Sequence, residues 1–545
     1  MLSLYNDSID DVPIKEQSEA FRGLDAVTKP TLLAPGAIRA GENVWMDVNG
    51  LLQTRPGLRF TTLLNTLPLV TGTLRTQGAA YYDTPSREAV LAVRNGKLYE
   101  VLGTGVSATT NLLTGPTPSA TADVQFAQLV DRMFYTEGTL RWSLYAAGWT
   151  HGTVTTFSDA SAMPSWRTVC AHKFRLLAVD ADGTRIYASA IGTAHNPADW
   201  VKTDNIRIGT GEGDPIRAVI NASGYLLVLT ERSSWQIDTS DASVANWTIR
   251  NITSLIGCVE GKTAVSIGQE VFFLSRYGVV SLGALVDQVS INPSATISSP
   301  LQGFVDRINW SAIGTAWATT WRDLYVLALP LGSETSPNLF LCYNTRTQAW
   351  ATPWKSTLAT ADLGSGNTAP FTGWATAVVT RFAAQQETLL ADTCGRLLRL
   401  DPDYERDDNT AGATNHIVSW ATLRTHAFGS EEAVKQPFWL EMEWFNSTAS
   451  GVQLNLVRDG LKAYPDKTLA NCEIIATGLG TNNLVTFPVI FPFYFQPNEA
   501  YRRSWSLRGF SRFREASIQI VSQQGRLRLR TERIAAFIDT PNLVA

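Results

Sequence analysis

A dense group of arginines near the C-terminus is the strongest chemical signal in the sequence. Between residues 502 and 533 the chain carries nine arginines and only two glutamates, a local excess of seven positive charges. Guanidinium groups stay charged at any physiological pH and suit carboxylate or phosphate partners. The candidate subunit-interface residues within this stretch are Arg512, Arg514, Arg526, Arg528 and Arg530.

Three of these arginines alternate with leucines in the run from Arg526 to Arg530. Alternation with a period of two predicts a strand with the guanidinium groups on one face and the leucines in the core. Three interpretations remain open for the charged face. It is a solvated strand surface, it pairs with acidic residues of a neighbouring subunit, or it contacts DNA phosphates.

The first thirty residues have the opposite charge. They carry few aromatics and six acidic residues, namely Asp7, Asp10, Asp11, Glu16, Glu19 and Asp25. This composition predicts either an extended arm that binds a neighbouring subunit or a frayed terminus. Ion pairing between this arm and the arginines of another subunit is the sharpest hypothesis that the sequence offers.

Motifs for catalysis or ligand binding are incomplete wherever they begin. Residues 257–263 resemble a Walker A loop but are one residue short between the glycines, so we expect a turn. Residues 180–183 start like a calcium loop, but Ile191 stands where a bidentate glutamate is required, so we expect a hairpin turn. The five histidines and five cysteines are scattered, without metal-ligand or G-x-S-x-G spacing. We therefore expect no catalytic residue, no cofactor and no metal.

The composition of the whole chain excludes several classes of protein. Only 17% of the 545 residues are charged, against about 25% in an ordinary soluble domain. The net charge of −4 argues against bulk positive charge as the means of holding nucleic acid, although DNA that merely slides past stays possible. No stretch of 18 apolar residues and no cleaved signal is recognisable, so we expect no membrane span.

Short strand pairs recur from about residue 70 to residue 410. The clearest is residues 89–101, where Asn95-Gly96 predicts a type I′ turn between two apolar runs. Similar pairs begin roughly 43 to 56 residues apart, which is near the spacing of four-stranded propeller blades. The fold class that this favours is all-β, with a β-propeller of about seven blades. A pair of β-sandwiches is the alternative.

The predicted domain organisation has three parts. Residues 1–70 form the N-terminal arm and the segment that leads into the propeller, and residues 71–410 form the propeller. A polar stretch after residue 401 marks a boundary, beyond which residues 411–545 form an additional β-sandwich-like C-terminal domain.

Several short blocks resemble a known protein family. In combination they are similar to the tail-hub proteins of short-tailed bacteriophages, the tail nozzle and packaged-DNA stabilisation group. The blocks are Pro35-Gly36-Ala37, Glu42-Asn43, Asp47, Gly50, Arg55-Pro56-Gly57, Arg175–Ala178, Arg185–Ser189, Pro197–Trp200, Gly213–Ile216, Leu227–Glu231, Gly257-Cys258, Val271–Val279 and, more loosely, Trp505–Gly509.

The resemblance implies a structural virion protein without catalysis, located in the phage tail. Proteins of this kind form a ring, here expected to be a homohexamer, that extends the DNA channel below the portal and adaptor. The expected partners are further copies of the chain, the portal-adaptor protein, other tail proteins or fibres, and the double-stranded DNA in the channel. Such a ring helps to retain the packaged genome and releases it at infection.

Two other functions remain open. A carbohydrate-binding or carbohydrate-cleaving propeller, such as a receptor-binding module, would place tryptophans and carboxylates around one open pocket. A bacterial surface propeller is disfavoured by the missing signal peptide.

Overall fold

Strands dominate the computed structural model of the chain. It describes residues 13–18, 20–64, 75–103, 108–114, 118–138, 141–145, 149–209, 213–222, 224–283, 296–358, 360–362, 368–410, 413–445, 452–458, 472–479, 500–522 and 527–539. Within these ranges the only α-helix is Gln302–Val305. The short 3-10 turns are Pro30–Leu32, Pro197–Asp199, Val244–Asn246, Gly261–Thr263, Ser299–Leu301, Trp310–Thr315 and Phe382–Ala384. No helix in the described residues is long and apolar enough to cross a membrane.

The chain divides into two compact units. The propeller unit comprises Gly57–Phe340 and Leu358–Asn415, and the sandwich unit comprises Met1–Pro56, Leu341–Thr357 and His416–Ala545. These bounds differ from the predicted ones, because the described residues between 13 and 56 join the C-terminal strands and residues 341–357 come from the middle of the chain. Local composition does not reveal such a discontinuous unit.

Seven small sheets form the blades of the propeller unit. Blades 1 to 4 have four strands each. Blade 1 consists of Thr76–Thr84, Arg87–Arg94, Lys97–Leu102 and Thr109–Leu112, and blade 2 of Gln125–Leu129, Arg132–Thr136, Arg141–Tyr145 and Thr150–Thr153. Blade 3 consists of Trp166–His172, Arg175–Asp180, Arg185–Ser189 and Trp200–Arg207, and blade 4 of Ile216–Ala222, Tyr225–Thr230, Ser234–Asp238 and Thr248–Thr253. Blade 5 has Val265–Ile267, Glu270–Ser275 and Gly278–Gly283.

Blade 6 begins with Trp317–Trp321 and Leu324–Leu329, after which the chain forms Leu339–Asn344 and Ala349–Trp350. Blade 7 consists of Trp374–Thr380, Glu387–Asp392, Arg396–Asp401 and Gly57–Leu63. Arg406–Thr410 pairs in parallel with Gly57–Leu63, and Ala413–His416 extends the same sheet. The remaining strands, Thr360–Asp362 and Thr368–Pro370, pair with each other.

The first strands of the blades form a closed ring. Each contacts the first strand of the next blade, and the ring closes where the first strand of blade 7 contacts that of blade 1. This pairing confirms the prediction of an all-β fold with a propeller of about seven blades. The sequence predicted the blades but not the strand that closes them, because Gly57–Leu63 lies next to blade 1 in the chain and pairs with blade 7.

Local sequence explains the individual hairpins. Asn95 and Gly96 have φ values of 49° and 68°, and they join paired strands at Arg94 and Lys97. Two successive positive φ angles define the type I′ turn, so this prediction is confirmed. The expected hairpin turn at residues 180–183 is also present, with Gly183 at a φ of 71°.

The second strands of the blades are apolar on both faces. Val271, Phe272, Phe273 and Leu274 are fully buried, as are all the residues of Leu324–Leu329. A strand packed between two neighbouring blades needs this pattern, since both of its faces meet protein. Burying each such side chain contributes about 1.5–3 kcal/mol, so the contacts between blades dominate the stability of this unit.

The sandwich unit contains two six-stranded sheets. Sheet A consists of Val44–Met46, Leu52–Thr54, Arg528–Asp539, Val434–Phe445 and Ala500–Ser506, with Ile14–Ser18 paired to Arg528–Asp539. Sheet B consists of Gly23–Leu24, Ala37–Glu42, Ser419–His426, Ala516–Ser522, Val452–Arg458 and Cys472–Leu479. Apolar residues of both sheets, such as Leu440 and Ile520, are buried. The predicted β-sandwich-like domain is therefore confirmed.

Candidate interaction face

The predicted arginine alternation is present in the last strand of sheet A. Leu527 and Leu529 are buried, Arg528 is half-buried, and Arg530 is exposed. Arg526 lies outside the described residues. The strand therefore presents its leucines to the core and its charge outward, as the alternation predicts.

Glutamates of the neighbouring strand Val434–Phe445 pair with these outward arginines. Glu441 Oε1 lies 3.1 Å from Arg533 Nη1 and 3.2 Å from Arg502 Nε, and Glu443 Oε1 lies 3.1 Å from Arg530 Nη1. The three arginines and two glutamates define a surface that we call the arginine face. Its ion pairs lie within one chain and leave one uncompensated positive charge.

Aromatic rings flank the arginine face. Lys15 Nζ lies 6.0 Å from the centre of the Trp439 ring, and Arg508 Cζ lies 4.6 Å from the centre of the Phe438 ring. A cation over an aromatic ring is attracted to it by about 0.5–1 kcal/mol at an exposed site. Arginine and aromatic residues are also the types enriched in protein interfaces.

Arg512 and Arg514 lie on a different segment from Arg528 and Arg530. Both side chains are exposed on either side of Phe513, which is buried and exchanges backbone hydrogen bonds with Lys435. The structure thus distributes the predicted interface arginines over two places instead of one continuous row.

The described part of the N-terminal segment is packed against its own chain. Ile14–Ser18 forms an antiparallel strand along the edge of Arg528–Asp539, and Phe21 and Leu24 are buried. Asp7, Asp10, Asp11 and Glu19 lie outside the described residues. The acidic segment does approach the arginine-rich strand, but within one chain and mainly through backbone pairing.

A buried charged cluster, which we call the Glu16 socket, fixes this strand. Glu16 Oε2 lies 2.9 Å from both His426 Nδ1 and Arg424 Nη2, and Phe428 N donates to Glu16 Oε1 at 2.8 Å. His426 Nε2 lies 3.2 Å from Glu532 Oε1, and both of these side chains are fully buried. Nothing in the local sequence signals this cluster, because its members come from three distant segments.

The protonation of the socket follows from its geometry. Burial alone would lower the pKa of His426, but the carboxylates of Glu532 and Glu16 outweigh burial and raise it to about 9. Burial likewise opposes ionisation of Glu16, yet its contacts with His426, Arg424 and the Phe428 amide lower its pKa. At neutral pH the socket holds an imidazolium between two carboxylates.

A second charged group links segments that precede the first strands of different blades. Lys262, before the first strand of blade 5, lies 2.6 Å from Asp123, before the first strand of blade 2. Asp123 also lies 2.6 Å from Arg75, before the first strand of blade 1, and Lys262 donates to Gly314 O at 2.7 Å. The Lys262–Asp123 pair joins blades 5 and 2, which are not neighbours in the ring.

Tryptophans are concentrated inside the two units. Of the fifteen whose side chains the structure describes, nine are buried and six are half-buried. Trp166 packs against Trp200 in blade 3, and Phe340 lies between Trp317 and Trp374. These rings fill the spaces within and between blades.

The motifs rejected on sequence have ordinary structural roles. Gly261–Thr263 is a 3-10 turn that precedes a strand, in agreement with the predicted turn. Burial raises the pKa of the Cys258 thiol to about 12, so this cysteine is unreactive. Within the described ranges no group of three or more His, Cys, Asp or Glu residues is arranged to hold a metal ion.

Comparisons with known proteins do not assign the chain to a family. No family model matches the chain, and no curated protein matches it. Among solved structures, the chain is similar to the N-terminal domain of Nup159, with a TM-score of 0.36, 10% identity, and coverage of 66% of this chain and 98% of that one. It is also similar to PorZ of Porphyromonas gingivalis, with a TM-score of 0.36, 12% identity, and coverage of 70% of this chain and 44% of that one. For Hsv2 of Kluyveromyces lactis the TM-score is 0.33 and the identity 7%, with coverage of 64% of this chain and 93% of that one. The fold assignment rests on the strand pairing described above.

Proposed function

We propose that this chain is a structural protein of a bacteriophage tail. It forms a homohexameric ring that extends the DNA channel below the portal and adaptor, helps to retain the packaged genome and passes DNA during ejection. It carries out no catalysis, and its other partners are tail proteins or fibres. The family resemblance of the sequence blocks between residues 33 and 283 motivates this proposal.

The arginine face is the observation that carries the self-assembly part of the proposal. Arg502 and Arg530 expose 53% and 57% of their side chains although each contacts a glutamate. Exposed pairs of this kind contribute little to the stability of one chain. Their strong clustering beside stacked aromatics is better explained by contacts with another subunit, where desolvation strengthens them.

The charge balance supports passage of DNA rather than tight binding. Each contact with a DNA phosphate adds binding affinity that opposes release of the DNA at ejection. A net charge of −4 keeps such contacts few. The Lys262–Asp123 pair joins two blades that are not neighbours in the ring, which favours a DNA path between copies of the chain over one through a single propeller.

The positions of the tryptophans do not favour the carbohydrate alternative. A sugar platform requires exposed rings around an open pocket. Every tryptophan side chain in the described part of the structure is buried or half-buried.

The decisive experiment measures the mass and shape of the full-length chain. We expect particles of six times the 59.6 kDa chain mass and rings with six-fold symmetry in electron micrographs. The double variant R502E/R530E should reduce the assembled fraction at least about tenfold, since it reverses two charges of the interface. R207E is the matched control, because Arg207 is exposed on the propeller unit.

Three results would contradict the proposal. A chain that stays monomeric at every concentration would exclude the ring, and an undisturbed assembly of R502E/R530E would exclude the arginine face as its interface. Tight retention of duplex DNA by the purified protein at low salt would contradict the proposal that the channel contacts DNA only weakly.

A further inference from the structure

The N-terminal strand is attached by few apolar contacts. In Ile14–Ser18 only Ser18 is fully buried, and Ile14 leaves 38% of its surface exposed. Its attachment therefore depends on backbone hydrogen bonds to Glu532–Ala536 and on the Glu16 carboxylate. Elements with so little buried apolar surface open at low free-energy cost.

The strand occupies part of one edge of sheet A. Arg528–Asp539 is paired along one side with Val434–Phe445. On its other side, Leu52–Thr54 pairs with Arg528 and Leu529, and Ile14–Ser18 pairs with the residues from Glu532 to Ala536. Removing the N-terminal strand would leave these last five residues as an open edge, which is a template for strand addition.

The socket recognises a carboxylate in particular. Both oxygens of Glu16 are used, one by the Phe428 amide and the other by Arg424 and His426. A glutamine in this place would present an NH₂ group to at least one of these donors. Glu532 holds His426 from the opposite side and supplies the charge that keeps the imidazole protonated.

The charges of the socket balance only when Glu16 is in place. Arg424 and protonated His426 contribute two positive charges, and Glu16 and Glu532 contribute two negative ones. Without Glu16 the buried socket keeps one uncompensated positive charge. Because a buried unpaired charge is costly, the empty socket should attract another carboxylate.

We propose that the edge from Glu532 to Ala536, together with the Glu16 socket, is a binding site for an extended acidic segment that adds as a strand. In this structure the chain fills the site with its own residues 14–18. A second copy of the chain carries the same segment, so the site can also join two subunits. That intersubunit use rests on the self-assembly proposed above, whereas the binding site itself does not.

The test uses two full-length chains and two peptides. The chains are the natural one and E16Q. The labelled peptides both span residues 9–20; the natural peptide keeps Glu16, and the substituted peptide carries the same E16Q change. Fluorescence anisotropy measures binding at pH 7. Hydrogen exchange of the amides from Glu532 to Ala536 reports whether the chain's own strand has been released.

We expect the E16Q chain to lose amide protection at this edge and to bind the natural peptide. The substituted peptide should bind at least about tenfold more weakly, since it lacks the charge-assisted hydrogen bonds. The natural chain should bind the natural peptide at least about tenfold more weakly than the E16Q chain does, because its own strand competes. K15Q is the matched control and should keep the edge protected, since Lys15 lies against Trp439 on the other face.

Three results would overturn the site. The first is an edge in the E16Q chain that stays as protected as in the natural chain, and the second is equal binding of both peptides by the E16Q chain. The third is a released edge that binds neither peptide. The double variant E16Q/H426Q should lose binding of the natural peptide. The mass of each sample, measured in parallel, shows separately whether the proposed self-assembly fails.

Discussion

The two units close their sheets with N-terminal segments in different ways. In the propeller unit, Gly57–Leu63 completes blade 7, and its Leu58 and Phe60 are buried. In the sandwich unit, Ile14–Ser18 completes the edge of sheet A with one fully buried residue.

Side chains reinforce the propeller closure. Asp407 Oδ1 accepts a hydrogen bond from Leu58 N, and Asp408 Oδ2 accepts one from Phe60 N, both at 3.2 Å. We infer that the first closure is permanent and that the second can be reversed. Apolar burial distinguishes them, because charged contacts alone weaken when water or another ion competes.

The largest expected effect comes from the buried ion pair of blade 7. Asp392 Oδ2 and Arg396 Nε are 2.5 Å apart and neither side chain is exposed. D392A leaves Arg396 as a buried charge without its carboxylate and should lower the free energy of unfolding of the propeller unit by about 3–5 kcal/mol. Urea titration followed by tryptophan fluorescence measures this, with the exposed Asp182 changed to alanine as the control. A loss below about 1 kcal/mol would show that the closure does not depend on this pair.

The second effect is a pH dependence of the stability of the sandwich unit. Because folding raises the pKa of His426 from 6.5 to about 9, its contribution is complete below pH 6.5 and is lost as the pH rises through 9. The loss should be about 3 kcal/mol in the free energy of unfolding of this unit. Urea titrations at pH 6, 8 and 10 measure it, and H426Q should show a much flatter dependence over this range. An equal dependence in both chains would contradict the role of His426.

The third effect separates the two closures. D408A removes the acceptor for Phe60 N and should destabilise the propeller unit by about 1–3 kcal/mol while leaving the Glu532–Ala536 edge protected. E16Q should instead deprotect the amides from Glu532 to Ala536 and leave the amides of Gly57–Leu63 protected. If D408A deprotected both edges, the two closures would be coupled.

The smallest effect is expected on the arginine face. The Arg530–Glu443 pair is exposed, so R530A should change the stability of the isolated chain by at most about 1 kcal/mol. Thermal unfolding of the monomeric fraction tests this. A larger loss would mean that the pair serves the fold of the chain, which would weaken its assignment to assembly.

The sequence predicts features that depend on near neighbours in the chain. The Asn95-Gly96 turn and the apolar run Val271–Leu274 follow from backbone preference and strand periodicity. Repetition of such hairpins at blade spacing was sufficient to predict the propeller.

Features that depend on distant segments were not predictable in this way. Glu16, His426 and Glu532 acquire their roles only when three strands meet, and the insertion of residues 341–357 into the sandwich unit has no compositional mark. Gly57 shows the same limit, because a Cβ atom there would lie 2.4 Å from the O atom of Arg406, a residue about 350 positions away in the chain.

The closing strand of the propeller also has a kinetic consequence. Gly57–Leu63 is synthesised before blade 1, yet its partner Arg396–Asp401 emerges from the ribosome more than three hundred residues later. Until then Gly57–Leu63 lacks its partner strand, and closing so long a loop carries an entropic cost. We therefore expect the ring to close in a slow final step of folding, with an aggregation-prone intermediate whose lifetime determines the yield of soluble chain.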